Sequence, residues 1–480
     1  MRTISWRSTG RFLLVLAAVS DLLNRAGGPV PRAADSSSGT VASGGIPSLL
    51  AESSKLPTAW NRLRSLTDGV GARLSGSPAE PLAVVWAKRE FERDGLKSRL
   101  EPVIVPVWVR GKESAEMLEP GRQPLVLLGL GGTVATPPHG ITATVVVVGS
   151  YEELDRLPRE AVAGKIVLFD NPFIRTGDEG HDYGEAVTFR SGGAVAAAKK
   201  GAAACLVRSV ATATLRTPHT GGFRYEEGVR QIPAAAVTIE DAKLIRRLTE
   251  AGHEVRVRMF LGAHREPDRE GANVVAEIRG RELPNEIVLI AAHLDSWDVG
   301  AGAIDDGAGC AIVLETMRLL AAGPPPRRTV RAVLYANEEN GLRGGIAYAE
   351  SHREELARHV AALEADAGGA RALGITVDSG PGGVEMLRDL VTPALATFGA
   401  GRIRAGEGGA DISKLGPAGV PLMALDQDMT HYFDWHHSMA DTLDKIEPGE
   451  LQKATAVFAA ATWLLAESPK TLPRKPPESK

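Results

Sequence analysis

From Glu286 to Leu320 the chain reads EIVLIAAHLDSWDVGAGAIDDGAGCAIVLETMRLL. The first eight residues read as an apolar strand. The segment then delivers His293, Asp295, Asp305 and Asp306 in a single loop and turns at once into an apolar helix, expected over Gly309–Leu320. Open α/β sheets build their sites where a strand's C-terminal end meets a helix's N-terminal end. The stretch therefore predicts an α/β fold and half of a two-metal site.

The same alternation continues downstream. NVVAEIRG, RRTVRAVLYAN, VAALEADAGG and VPLMALDQD predict further strands, and Ile346–His352, Val384–Phe398 and Pro448–Glu467 predict helices. This is the pattern of a mostly parallel central sheet flanked by helices. At 480 residues the chain is long enough for two domains. Residues 46–114 read as the first part of the sheet domain, with helices over Ile46–Leu66 and from Pro81 to Asp94. Leu100–Val109 carries two prolines and fits an edge strand. Residues 115–269 change texture to many short apolar strands and read as a β-rich insert that roofs the site, and residues 270–467 complete the sheet domain. Arginines followed by FLLVLAAV at Phe12–Val19 fit a signal peptide over residues 1–34, with a Ser/Gly linker after it. The polar, Pro-rich residues 468–480 are expected to be disordered.

With 55 basic and 59 acidic residues the formal net charge is −4, which gives no footprint for nucleic acid or an anionic membrane. Two cysteines, Cys205 and Cys310, exclude a disulfide framework. His139, His181, His219, His253 and His264 are dispersed through the insert region and read as surface or structural.

Four expected strand ends carry metal-ligand residues: His293 with Asp305, Glu338–Glu339, Asp366, and His436–His437. Mixed imidazole and carboxylate donors suit zinc. Two zinc ions need a shared group, and Asp305 is the natural bridge beside His293. Asp295, two residues past His293, is placed to accept the imidazole's other N–H. Adjacent residues in extended chain point opposite ways. One of Glu338 and Glu339 can then ligate while the other acts as general base on the attacking water. The residues alone do not assign the two roles.

HLDSWDVGAGAIDDGAG, ANEENGLRGG, LEADAGG and DWHHSMADTLDKI together resemble the secreted co-catalytic di-zinc aminopeptidase/carboxypeptidase family, with its zinc-peptidase, phosphorylase/hydrolase-like fold. RLSGSP, VPVWVRG, RSVATATLRTPHTGG and IPAAAVTIEDA extend the similarity over nearly the whole mature chain. The resemblance implies two Zn2+ per chain: His293 and Asp366 on one, Glu339 and His437 on the other, and Asp305 bridging. It implies Glu338 as general base and a cis peptide between Asp305 and Asp306. His437 is preferred to His436 because it opens the pattern His437, Ser438, Asp441, and His436 becomes a donor to the tetrahedral intermediate. The insert resembles a protease-associated domain, and the family implies a homodimer, secreted or periplasmic, acting on a small peptide substrate, with dipeptides favoured. The loop Ala405–Ile412 carries one more Gly than its relatives, and Glu407 on it is a candidate partner for a substrate's amino group. Two other readings exist on this architecture, a glutaminyl-cyclase-like acyl transferase and a non-catalytic binding protein. Both lose ligands or the base, and this sequence keeps all of them.

Overall fold

The computed structural model describes residues 57–175, 183–213 and 215–476. The expected signal peptide, the Ser/Gly linker, the start of the Ile46–Leu66 helix, His181 and the last four residues lie outside them.

The main sheet has eight strands: β1 (Ser98–Val109), β2 (His264–Ile278), β3 (Leu283–His293), β4 (Arg328–Tyr335), β5 (His359–Glu364), β6 (Ala372–Asp378), β7 (Arg402–Ala405) and β8 (Leu422–Gln427). Their spatial order is β1-β2-β4-β3-β5-β8-β6-β7. The central four, β4-β3-β5-β8, are mutually parallel. β1/β2, β2/β4 and β8/β6 pair antiparallel. The sheet is thus mixed, with a parallel heart that carries the apolar runs and antiparallel flanks. Along β3, Val288, Ile290 and Ala292 face one core, and Leu289 and Ala291 face the other. Strand alternation explains this, and burial on both sides explains the unbroken apolar run. The helices Thr58–Gly69, Glu80–Arg93, Ala308–Ala321, Gly383–Leu395 and Pro448–Glu467 cover the first face. Arg343–Ser351 and the 3-10 turn Ile412–Ala418 cover the second. No described helix is long and apolar enough to cross a membrane.

The edge strand with two prolines is β1, and its pairing register shifts across Pro106, where the missing N–H would break a regular ladder. A second eight-stranded sheet occupies Glu113–Leu261. Its centre, Ile141–Val148, Ile166–Phe169, Ala204–Arg208 and Ala234–Val237, is again parallel. The helices Tyr183–Lys199 and Ile239–Glu250 pack into separate cores against it. The insert is therefore layered α/β rather than only β-rich.

Three expectations need correction. The insert ends by Leu261, not at residue 269, because His264–Glu270 is the first half of β2 and pairs with β1. Its charged side chains lie at an exposed edge, so the segment lacks an apolar signal. The insert's small-residue stretch SGGAVAAAKKGA reads as a helix from Ser191, and the helix begins at Tyr183. Residues 468–476, expected to be disordered, are held against the sheet domain at Ser468, Leu472 and Arg474. Leu472 is 4% exposed, and Arg474 donates to the carbonyls of His359, Leu356 and Ala418 at 2.7, 3.0 and 2.9 Å.

Candidate metal centre

Because β4, β3, β5 and β8 run parallel and adjacent, their C-terminal ends share one edge of the sheet. His293 is the last residue of β3, opposite Tyr335 at the end of β4. Glu338 and Glu339 follow β4, Asp366 lies two residues past β5, and the segment after β8 carries His436 and His437. The four loaded strand ends of the sequence meet in space.

Asp305 is the centre of the arrangement. Its Oδ1 is 3.0 Å from His293 Nε2 and its Oδ2 is 3.1 Å from His437 Nε2. Asp366 Oδ1 lies 3.5 Å from the same His293 nitrogen, and Glu339 Oε2 lies 3.0 Å from the same His437 nitrogen. Two half-sites result, one of His293 and Asp366, the other of His437 and Glu339, with one carboxylate facing both. The Glu338 side chain lines the open cleft instead, with no hydrogen bond from another described residue. The Asp305–Asp306 peptide is cis. His437 and Asn337 hold left-handed φ values of 58° and 62°, a strained conformation of the kind found at functional sites.

Asp306 and His436 also stand within ligand range of the clusters. Asp306 is already committed. Its two oxygens accept N–H bonds from His293 at 3.1 Å and Gly309 at 3.0 Å, so it ties the strand end to the helix start. The His436 ring stacks on His437, with centroids 4.0 Å apart, and its Nδ1 is buried without a partner. Burial, then the neighbouring His437, holds the His436 imidazole well below its usual pKa, so it is neutral.

Two predicted roles change. The partner of the His293 Nδ1 proton is the backbone carbonyl of Asp295 at 3.0 Å, while the Asp295 carboxylate stands 3.8 Å away. That carboxylate instead accepts the Glu338 backbone N–H at 3.0 Å, so it fixes the segment carrying both glutamates. Glu407 is exposed and does not line the cleft, and its carbonyl accepts from the Thr376 hydroxyl. The loop lies along β6, with Gly406 packed against Thr376.

The electrostatics call for cations. Burial pushes Glu338 well up, helped by the charges of Glu339 and Asp366, and brings Glu339 to about 7. Burial also pushes Asp305 up, but hydrogen bonds from His293 and His437 outweigh it and hold that carboxyl well below the usual range. Five carboxylates and two metal-facing imidazoles share this pocket, and Glu339 Oε1 is buried with no partner. An orphaned buried oxygen, a His/carboxylate donor set and one carboxylate facing two half-sites fit a pair of zinc ions.

Several supporting groups carry weaker sequence signals. Arg73, in the RLSGSP segment, is fully buried. Its Nε donates to Leu294 O at 2.6 Å, Nη1 to Ala301 O at 2.8 Å and Nη2 to Gly302 O at 2.9 Å, so it braces the loop that holds Asp305. Asp441 accepts the N–H groups of Ala303, Ile304 and Asp305 at 2.8, 2.7 and 3.1 Å. Asp441 is legible as the end of the His437–Ser438 pattern. A lone arginine far upstream has no spacing to announce it.

The profile of peptidase family M28 matches residues 273–462. Human carboxypeptidase Q is 40% identical over 417 residues, 86% of this chain and 86% of its own. The crystal structure of a peptidase M28 precursor from Shewanella amazonensis is similar at a TM-score of 0.85 and 40% identity, covering 90% of this chain and 98% of that one. A zinc aminopeptidase from Bacillus subtilis shares the fold at a TM-score of 0.62 and 20% identity, over 86% of this chain and 95% of its own. Parallel strand ends converge on a shared carboxylate, and two-fifths of the residues are identical to carboxypeptidase Q along most of both chains. On these grounds this chain belongs to peptidase family M28 and is a metallopeptidase of the exopeptidase kind.

Proposed function

We propose that the protein is a zinc-dependent exopeptidase that hydrolyses dipeptides or short peptides, using two Zn2+ per chain and Glu338 as general base. The observation that carries this reading is the position of Asp305, with one oxygen at 3.0 Å from His293 and the other at 3.1 Å from His437. His293 and Asp366 would hold one ion, Glu339 and His437 the other, with Asp305 between them. When bound, zinc supplies a Lewis acid that polarises the scissile carbonyl and acidifies water. Glu338 takes the proton of the attacking water and passes it to the leaving nitrogen. Its freedom from hydrogen bonds and its raised pKa suit a group that must both accept and release a proton. His436, kept neutral, donates to the oxygen where negative charge develops. The cleft, of about 1200 Å³, is lined by both modules and by Glu338, Glu339 and Asp305, room enough for a short peptide.

Zinc as the ion is supported by the donor set and by the Bacillus subtilis relative's being a zinc aminopeptidase. The reading includes secretion or a periplasmic location, a homodimer and a protease-associated role for the insert, each resting on the resemblance of the motifs.

The test is release of free amino acids from unblocked and N-acetylated dipeptides by the purified protein, with and without a chelator. The expected result is cleavage of unblocked dipeptides, lost with chelator and restored by zinc. No cleavage of either set after zinc is resupplied would overturn the reading.

A further inference from the structure

The insert has a second cavity, apart from the peptide cleft. It holds about 780 Å³ and shares no lining residue with the cleft. It opens at the carboxyl ends of the insert's parallel strands. Gly149 follows Ile141–Val148, Asp170 follows Ile166–Phe169 and Arg208 ends Ala204–Arg208, and all three line it. Lys243 and Arg246 on the helix Ile239–Glu250, Thr212, and residues 172–175 complete the wall. Ligands of open α/β sheets bind outside the carboxyl ends of the strands.

The wall is basic. Arg175, Arg208, Lys243 and Arg246 line it with one carboxylate, Asp170, which is 5% exposed. That carboxylate is shared. Its Oδ1 accepts from Arg208 Nη1 at 3.2 Å, and its Oδ2 accepts from Arg246 Nε. Arg246 also stands 3.7 Å from Glu250, but that carboxylate is 64% exposed and screened by water. Arg175 donates to Asp434. Asp170 and Asp434 thus offset two of the four cations. Arg208 is 9% exposed at its side chain and makes one hydrogen bond, so its other N–H groups have no acceptor among the described residues. Lys243 makes no ion pair with a described residue. Donors of a buried charged group are costly to leave unpaired.

We propose that this cavity binds a small phosphate monoester, with Arg208 and Lys243 holding its phosphoryl group. A phosphate monoester carries close to two negative charges at pH 7 and offers three strong acceptor oxygens. It matches the two cations that Asp170 and Asp434 leave over. Arg208 supplies a planar set of donors, and Lys243 a flexible point charge. A volume of this size takes a whole organic ligand rather than a bare ion. The alcohol part meets an apolar wall in Pro172 and Ile174, and Ile174 is 60% exposed. The site stands independently of the peptidase chemistry, since no cleft residue takes part in it.

The test is calorimetric titration of the zinc-loaded protein with phenyl phosphate, inorganic phosphate and benzoate, repeated on Lys243→Gln and Arg208→Gln. One phenyl phosphate should bind per chain, about tenfold more tightly than benzoate, since the dianion makes more charge-assisted bonds. Inorganic phosphate should bind about threefold more weakly than the ester, for want of the apolar contact. Lys243→Gln should weaken the ester about fivefold and Arg208→Gln ~30-fold, the larger loss falling on the buried contact. Neither side chain lines the cleft, so dipeptide cleavage by Lys243→Gln should match the wild type. Phosphate drawn to the zinc ions instead would give a signal that both variants keep and that inhibits cleavage, and that result overturns the site. No binding of the ester by the wild type overturns it as well. Inorganic phosphate that binds as tightly as the ester overturns the monoester and leaves an adventitious ion only. Lys243 is exposed, so its variant decides the question even if Arg208→Gln fails to fold.

Discussion

Asp305 shows how much one side chain can organise. Two imidazoles approach its two oxygens, three backbone N–H groups anchored by Asp441 hold its loop, and Asp306 beside it is spent on strand and helix ends. The pair Glu338–Glu339 divides in the same way. The Glu339 carboxylate is 3.0 Å from His437, while Glu338 faces the cleft. Glu338→Gln should therefore keep its zinc and lose ~10²–10⁴-fold in kcat, the usual contribution of a positioned general base. Glu339→Gln should lose zinc from the His437 half-site. Metal analysis of the dialysed proteins beside steady-state rates checks both, and the opposite pattern would exchange the two roles. The two thiols lie at the other extreme. Cys310 donates its S–H to the His293 carbonyl at 3.1 Å, and burial pushes both thiols up. Neither should react with iodoacetamide at pH 8 until the protein is unfolded, as mass spectrometry of alkylated samples would show.

At the level of elements, the loop from Leu294 to Gly302 has no regular structure of its own and is held by Arg73. Replacing Arg73 with Met would leave the carbonyls of Leu294, Ala301 and Gly302 buried without this donor. The Gly302 carbonyl keeps the Gly307 N–H at 3.0 Å, so two groups are left unsatisfied, and at ~1–3 kcal/mol for each the loss should exceed about 2 kcal/mol. A lowered unfolding midpoint together with reduced zinc retention is the expected signature. Glu80 opens the following helix and accepts the Gly76 N–H at 2.7 Å, bracing the turn after Arg73. Burial raises its carboxyl to about 7 despite that bond. The folded protein therefore keeps a proton that the unfolded chain releases near 4.5, and this site costs stability as pH rises from 4.5 through 7. Glu80→Gln should gain melting temperature relative to wild type between pH 5 and pH 8, and a constant difference would contradict the raised value. Sequence exposed the elements with period and punctuation: β3, β1 with its prolines, and Pro448–Glu467 to the residue. It missed β6, which a glycine, Gly374, interrupts, β7, which has only four residues, and the start of the Tyr183 helix, where glycines within the helix mask its period.

Across the whole molecule, sequence revealed the ligand set because each ligand follows an apolar strand and the parallel heart of the sheet brings those ends together. The groups that come from far away were hidden, because nothing in the spacing ties the insert to the segment after β8. That seam is continuous. The Thr220 N–H donates to the His437 carbonyl at 2.9 Å, Thr212 N–H reaches the Phe433 carbonyl at 3.3 Å, and Asp434 accepts from Arg175 and from the Thr212 hydroxyl. Phe173 and Tyr183 pack on Phe433, with ring centroids 5.1 and 4.7 Å apart. The insert thus braces the His437 loop from one side, while Asp441 ties it to the sheet domain through the N–H groups of Ala303, Ile304 and Asp305. Asp434→Ala cuts the side-chain hydrogen bonds of that brace, from Arg175 and Thr212, leaves its two backbone bonds and touches no ligand. The consequence should be local to one half-site. His437, already in a strained backbone conformation, loses its outer support, and zinc affinity there should fall ~10–100-fold, the usual cost of removing such a group. The His293–Asp366 half-site, braced by Arg73 and Asp295 on the sheet domain, should keep its ion. Equilibrium dialysis at limiting zinc should find about one ion per chain in place of two. If both ions are retained, or both lost together, the insert does not hold the His437 loop in the way its contacts indicate.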